Sequence, residues 1–152
     1  MAALRKFPAV DGFAFSADLR VRFSETDAQG IANNAVYLNW FEVARVAYLA
    51  RFGGGYRGMI EQGFEAVTLE THVRYKAPTR FDDELRIWTR IAEPGRLRAR
   101  FRFEYALERL SEPQEIVADG WTSHATVDAA TLSPVRMPDW LRDAIRAVEP
   151  AA

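Results

Sequence analysis

The chain has no cysteine among its 152 residues and only two histidines. Disulfides, thiolate metal sites and cysteine nucleophiles are therefore excluded. Two histidines do not make a multi-histidine metal site within one chain. No apolar run reaches the ~18 residues that a bilayer span needs. Met1 to Val10 carries Arg5 and Lys6 without the apolar stretch of a signal peptide, so a soluble, cytoplasmic protein is expected. Charge of either sign is not in excess: 20 basic and 21 acidic residues give a net charge of −1. This balance lacks the basic footprint of a nucleic-acid binder. Internal repeats, linkers and low-complexity segments are also missing. What is abundant is hydrophobic residues, 49% of the chain. That is enough for one sizeable core, and a single domain over 1–152 is expected.

The most informative stretch runs from Thr26 through Asp27-Ala28-Gln29-Gly30-Ile31-Ala32-Asn33-Asn34 to Tyr37, Trp40, Glu42 and Arg45. A strand predicted at 18–23 alternates polar and apolar residues and ends just before it. Turn chemistry follows over Ser24–Gly30. Asn34 is then a good N-cap for a helix over Ala35–Phe52. Only Asn39, Glu42, Arg45 and Arg51 are polar in that segment. A helix so apolar on all sides is expected to be buried. Gly53-Gly54-Gly55 supplies its left-handed end. The pattern sets a carboxylate beside a helix N-terminus, whose unpaired N–H groups favour an anion or a polarised carbonyl. It is an arrangement suited to breaking an acyl bond. Asp27 also fits a plain turn role, since Asp bonds nearby backbone N–H groups in turns.

Beyond the helix the periodicity changes. Phe64–Lys76 alternates as a long strand with one wet face. Glu84–Ile91 alternates again, and Glu93-Pro94-Gly95 reads as a tight turn. Arg96–Tyr105 reads as a strand with Arg96, Arg98, Arg100 and Arg102 on one face. Leu97, Ala99, Phe101 and Phe103 take the other face. Glu112-Pro113 is a turn, Ile116–Val127 a last strand, and 139–148 a short amphipathic helix or tail. Short turns imply antiparallel neighbours. The expected class is α+β: an antiparallel sheet with one long helix covering its apolar face.

On these residues the chain resembles the hot-dog fold, a curved antiparallel sheet wrapped around a central helix. Within it the chain resembles the 4-hydroxybenzoyl-CoA thioesterase family. The likeness rests on Thr26-Asp27-Ala28-Gln29-Gly30-Ile31, Asn34, Tyr37, Trp40-Phe41-Glu42 and Ala44-Arg45. A second block, Val67 to Asp83 with Tyr75, Pro78 and Asp82-Asp83, extends it, and the whole covers about 16–138. The resemblance implies hydrolysis of an acyl-CoA thioester to a free acid and CoA, with no metal or redox cofactor. It implies a homodimer, or a dimer of dimers, with sites at the subunit interface. Asp27 matches the family's catalytic aspartate, acting as nucleophile or general base. Gly30, Asn34 and Tyr37 match the oxyanion and substrate-binding positions, with Asn34 acting through its main chain. Several relatives carry histidine after the loop glycine where this chain has Ile31, so the base rests on Asp27. Another branch uses a helix glutamate, which makes Glu42 a lesser candidate; Glu42 and Arg45 also suit an i, i+3 ion pair. Arg96 and Arg98 are candidates for the CoA phosphates, given arginine's bidentate fit to phosphate; a solvated strand face is the plainer reading. His72 and His124 are read as structural. Trp40, Phe64, Trp88 and Trp121 are available to shape an acyl pocket. Two further functions share this sequence pattern: an acyl-carrier-protein thioesterase of the same fold, and a non-catalytic acyl-CoA-binding or sensing module.

Overall fold

The computed structural model describes residues 10–111 and 115–150. The Glu112-Pro113 turn and the Arg5-Lys6 pair lie outside the described residues. Five strands form one sheet in the order β1-β3-β4-β5-β2, and every neighbouring pair is antiparallel. They are β1 (Phe15–Arg20), β2 (Phe64–Tyr75), β3 (Glu84–Ile91), β4 (Arg100–Arg109) and β5 (Glu115–Asp128). Helix α1 (Val36–Leu49) crosses the sheet between its two edges, β1 and β2. Helices α2 (Gly55–Glu61) and α3 (Asp139–Val148) complete the chain. This is the α+β architecture that the strand-helix-strands pattern predicts.

The core forms where α1 lies on the inner face of the sheet. Trp40, Phe41, Ala44 and Tyr48 recur at helical spacing and are all buried. Phe41 stacks on Tyr105 of β4 with ring centroids 4.1 Å apart. Tyr48 meets Phe103 edge-on at 5.4 Å. Gly120 on β5 lets Phe41 approach so closely. A Cβ there would stand 2.1 Å from the His72 carbonyl oxygen and 3.1 Å from the Phe41 ring.

Several local expectations need correction. The first strand covers Phe15–Arg20 rather than 18–23, because the chain tightens into a 3₁₀ turn at Phe23–Glu25. Helix α1 is shorter than Ala35–Phe52 at both ends and is not buried all round. Leu38, Val43 and Val46 lie on an exposed face, so the described chain covers only one side of it. The triple glycine does not end α1, which stops at Leu49 with Ala50 as a right-handed C-cap. Gly53, Gly54 and Gly55 all take positive φ, and Gly55 opens the short helix α2. The arginine strand starts four residues late. Glu93 sits at φ 48°, Pro94–Arg96 form a 3₁₀ turn, and Leu97 is drawn into the core. Arg98 then bonds Met137 through its backbone carbonyl (3.1 Å). Arg96 and Arg98 therefore stand outside β4, and only Arg100 and Arg102 share its outer face. On β2 the wet face is joined by exposed Leu69 and Tyr75, as befits an edge strand with a bulge between Thr68 and Glu70.

The helix cap moves by one residue, from the expected Asn34 to Ala35, and no side chain caps it. Asn33 instead braces the approach to the helix: its Oδ1 takes the Ala35 N–H at 2.8 Å. Its carbonyl takes the Val36 N–H at 3.0 Å. Asn33→Ala is expected to cost about 1 kcal/mol in urea unfolding, and Asn34→Ala about 0.5 kcal/mol or less.

Candidate active site

The segment from β1 to α1 is held from beneath by Glu25, which is buried to 7% exposure. The Arg22 backbone N–H donates to its Oε1 at 2.8 Å, and the Trp40 indole N–H donates to its Oε2 at 2.8 Å. The Asn33 N–H donates to its carbonyl oxygen at 2.8 Å. Burial pushes the Glu25 carboxyl up. Hydrogen bonds from the Arg22 backbone and guanidinium and from Trp40 outweigh burial and hold it below the usual glutamate value. Glu25 therefore ties the start of the loop, its end and the first turns of α1 to one buried anion.

Asp27 stands on the exposed crest of that loop. Its N–H donates to the Ile31 carbonyl and its own carbonyl accepts the Gly30 N–H, both at 2.9 Å. Its Oδ1 accepts the Gln29 N–H at 2.8 Å. Gly30 closes the turn at φ 76°, and nothing crowds the place of its missing Cβ. Glycine is needed here for the backbone angle, not for space. The Ala32 N–H donates to the Thr79 carbonyl at 2.8 Å, which anchors the loop to the β2–β3 connection.

Asn34 follows as an exposed residue two positions before α1. The Tyr75 hydroxyl donates to its carbonyl oxygen at 2.5 Å. Among the described residues its N–H has no acceptor. Tyr37 lies buried as the second residue of α1, with its hydroxyl 2.9 Å from Thr79 Oγ1 and its ring edge-on to Tyr75 at 5.0 Å. Burial raises the Tyr37 phenol above its usual value. Asp27, Gly30 and Asn34 thus share one braced loop, and Tyr37 packs beneath it. Electrostatically this loop offers a carboxylate, a free N–H and the positive end of α1.

Other candidates lie elsewhere. Glu42 is 63% exposed, nearly two turns into α1, and 4.0 Å from Arg45 Nη2. Arg96 is exposed beside Glu93 at 3.8 Å. Arg96, Arg100 and Arg102 line a cavity of about 1020 Å³ together with Phe101, Leu69 and His124. That cavity is not lined by Asp27, Asn34 or Tyr37. Arg98 does not line it either. On the outer face of the sheet Arg102 lies 3.8 Å over the Trp121 ring, and His72 stacks on the same ring at 5.7 Å.

His124 is buried to 3% exposure, with Nε2 2.7 Å from Thr122 Oγ1 and Nδ1 3.4 Å from Thr68 Oγ1. Burial, aided by the Arg45 charge, pushes its pKa down to about 4. The unfolded chain takes up this proton near pH 6.5 and the folded chain only near pH 4. Between those values the unfolded state binds more protons, so stability falls as pH falls. From pH 7 to pH 5 the loss through His124 is expected to be about 2 kcal/mol. The carboxylates held low, Asp18, Glu25, Asp119 and Asp128, add their own loss only below about pH 4.5. Urea unfolding of wild type and His124→Gln at both pH values checks this. The difference is expected to shrink in the variant.

The role of Glu25 is invisible in the sequence, where it reads as one more turn residue. A faint signal is the partner that a buried tryptophan N–H requires.

Comparison with known proteins adds to this geometry. The family described as the thioesterase-like superfamily matches residues 21–145. Acyl-CoA thioesterase YbgC of Haemophilus influenzae is 30% identical over 125 residues, 82% of this chain and 88% of that protein. The 1,4-dihydroxy-2-naphthoyl-CoA hydrolase of Synechococcus elongatus is 30% identical over 128 residues, 80% of this chain and 90% of that protein. The solved structure of the DHNA-CoA thioesterase from Staphylococcus aureus superposes with a TM-score of 0.77 at 26% identity, covering 87% of this chain and 90% of that one. With a match spanning β3 to β5 and the Asp27 loop, this hot-dog chain belongs to the thioesterase-like superfamily.

Proposed function

We propose that the protein is an acyl-CoA thioesterase that hydrolyses its substrate to a free carboxylic acid and CoA. Membership of the superfamily makes it a thioester hydrolase. The names of its relatives support CoA as the leaving group. The observation that carries the reading is the Asp27 loop: an exposed carboxylate and an unpaired N–H at a helix start, braced by one buried glutamate.

In this reading the thioester carbonyl oxygen sits at the Asn34 N–H. Preorganised N–H donors there stabilise the oxyanion by roughly 3 kcal/mol each. Asp27 either takes a proton from the attacking water or attacks the carbonyl itself. The C–S bond then breaks and the CoA thiolate leaves, taking up a proton; where Asp27 is the nucleophile, water then hydrolyses the acyl–aspartyl anhydride, releasing the acid and restoring the carboxylate. Asp27, water and the backbone complete this step without a cofactor. The narrower likeness to 4-hydroxybenzoyl-CoA thioesterases rests on the loop residues and Tyr37. In this reading Arg96 and Arg98 meet the phosphates of CoA from the segment before β4.

A homo-oligomer fits the same geometry. Strand β2 is an open edge bearing exposed Leu69 and Tyr75, and α1 leaves Leu38, Val43 and Val46 uncovered. Pairing with a second copy would cover an edge and an apolar face. No described helix is long and apolar enough to cross a membrane; we place the enzyme in the cytoplasm. The test of the function is steady-state hydrolysis of matched acyl-CoA and acyl-carrier-protein substrates. Faster turnover of the CoA member is expected. Turnover of the carrier-linked member alone would reassign the leaving group, and tight acyl-CoA binding without hydrolysis would make the protein a sensor.

A further inference from the structure

The backbone just before α1 is held by two side chains that the hydrolytic step does not use. Asn34 joins two peptide groups. The first carries the Asn34 N–H, and its carbonyl, that of Asn33, accepts the Val36 N–H at 3.0 Å. The second runs from Asn34 to Ala35 and is tied at both ends. Its N–H donates to Asn33 Oδ1 at 2.8 Å, and its carbonyl accepts the Tyr75 hydroxyl at 2.5 Å. Among the described residues no backbone N–H takes that carbonyl; the Leu38 N–H donates to the Ala35 carbonyl at 3.2 Å instead. Water can satisfy an exposed carbonyl but does not fix its direction. A side chain seated on another element does.

Tyr75 is well seated for this. It is the last residue of β2 and pairs with Ala118 of β5. The next two N–H groups, of Lys76 and Ala77, both donate to the Val117 carbonyl, at 2.9 and 3.1 Å. The Tyr75 ring meets Tyr37 edge-on at 5.0 Å. The phenol is therefore carried by the sheet and not by a free loop, and a strand places a group more precisely than a loop does. Partial burial raises its pKa above the ordinary tyrosine value, so the hydroxyl stays a donor at neutral pH. Half of the residue is exposed, yet its hydroxyl closes on a backbone carbonyl 41 positions earlier in the chain.

We propose that Tyr75 is a positioning residue for thioester hydrolysis: its hydroxyl, with Asn33 Oδ1 at the other end of the same peptide, sets the direction of the neighbouring Asn34 N–H. The proposal rests on the acyl-CoA thioesterase reading, in which that N–H meets the developing oxyanion. Direction matters, because a hydrogen bond weakens steeply once its angle at hydrogen falls below about 120°. A donor also stabilises the transition state best when it needs no reorientation at the moment of reaction. Tyr75 acts through the Asn34 backbone, so its loss should slow the chemical step and spare the binding of the rest of the substrate.

The test is Tyr75→Phe, which keeps the ring against Tyr37 and removes only the hydroxyl. With the best acyl-CoA substrate, kcat for CoA release is expected to fall about tenfold, less than the loss of an oxyanion donor itself. KM is expected to stay within about twofold of wild type. A second readout is the Kd of the CoA thioether with the same carbon chain and no carbonyl, which cannot engage the Asn34 N–H. That Kd is also expected to hold. Asn33→Ala frees the other end of the peptide and is expected to show the same pattern, so it decides the matter should Tyr75→Phe fail to fold. A kcat within about threefold of wild type overturns the assignment and leaves the thioesterase reading intact. So does a thioether Kd that weakens as much as kcat falls, since that marks a disturbed pocket. No CoA release by wild type from any acyl-CoA overturns both.

Discussion

Asp27→Asn is expected to lower CoA release by about 10²–10⁴-fold, the usual contribution of a positioned general base. The substitution keeps size and shape, and Asn Oδ1 can still accept the Gln29 N–H that Asp27 now holds. The turn is also closed by backbone bonds to Ile31 and Gly30, which the change does not touch. Asp27 is exposed, so no buried charge is stranded. Urea midpoints should therefore agree with wild type to within about 0.5 kcal/mol. The loss should fall on kcat and kcat/KM together, because a base or nucleophile acts in the transition state. If Asp27 were only a turn residue, hydrolysis would survive. Parallel assays of thiol release and unfolding separate the two cases.

Glu25→Ala is expected to be the most damaging change outside the apolar core. It removes the acceptor for the Trp40 and Arg22 N–H groups at once, and Trp40 is almost wholly buried. Each buried donor left unpaired costs about 1–3 kcal/mol, so a loss of about 3 kcal/mol or more is expected in urea unfolding. Hydrolysis should drop as well, because Glu25 is the brace beneath Asp27 and the start of α1. Glu25→Gln keeps an acceptor oxygen and is expected to cost less on both counts. The carboxyl is held low in the folded state, so its stabilisation is full above about pH 4.5, the ordinary glutamate range, and fades as pH falls further. Equal stability of Glu25→Ala and wild type at pH 7 would remove Glu25 from this role.

Much of the scaffold is legible in the sequence because burial writes periodicity into it. Glu84–Ile91 alternates and forms β3, 139–148 is amphipathic and forms α3, and the apolar segment after Asn34 forms α1. Elements whose bounds depend on tertiary contacts are less legible. Alternation continues from Arg96 through Phe103, yet the 3₁₀ turn at Pro94 and the pull of Leu97 into the core delay β4 to Arg100. Adjacent asparagines cap equally well by composition. In the structure neither is the N-cap, which falls on Ala35, and only the Asn33 side chain accepts a backbone N–H, that of Ala35. The all-round apolarity of α1 predicts complete burial, but Leu38, Val43 and Val46 are left exposed.

At the site, the sequence marks the groups presented to solvent and hides those that hold them. Asp27, Gly30 and Asn34 stand out by spacing. The brace between Glu25 and Trp40 joins residues fifteen apart and follows no local rule. The Tyr75 hydroxyl reaches Asn34 across 41 positions of sequence. A polar line from Tyr105 through Thr122 and His124 to Thr68 draws on three separate strands, so no single segment carries its signature.

The central claim is that this loop hydrolyses acyl-CoA. The most direct measurement quantifies free CoA and free acid together, over many turnovers, from a panel of short, medium, long and aromatic acyl-CoAs. The expected result is equal amounts of both products, well beyond one per chain, from at least one substrate. Acyl-CoA that binds and is recovered intact, with neither product formed, would contradict it.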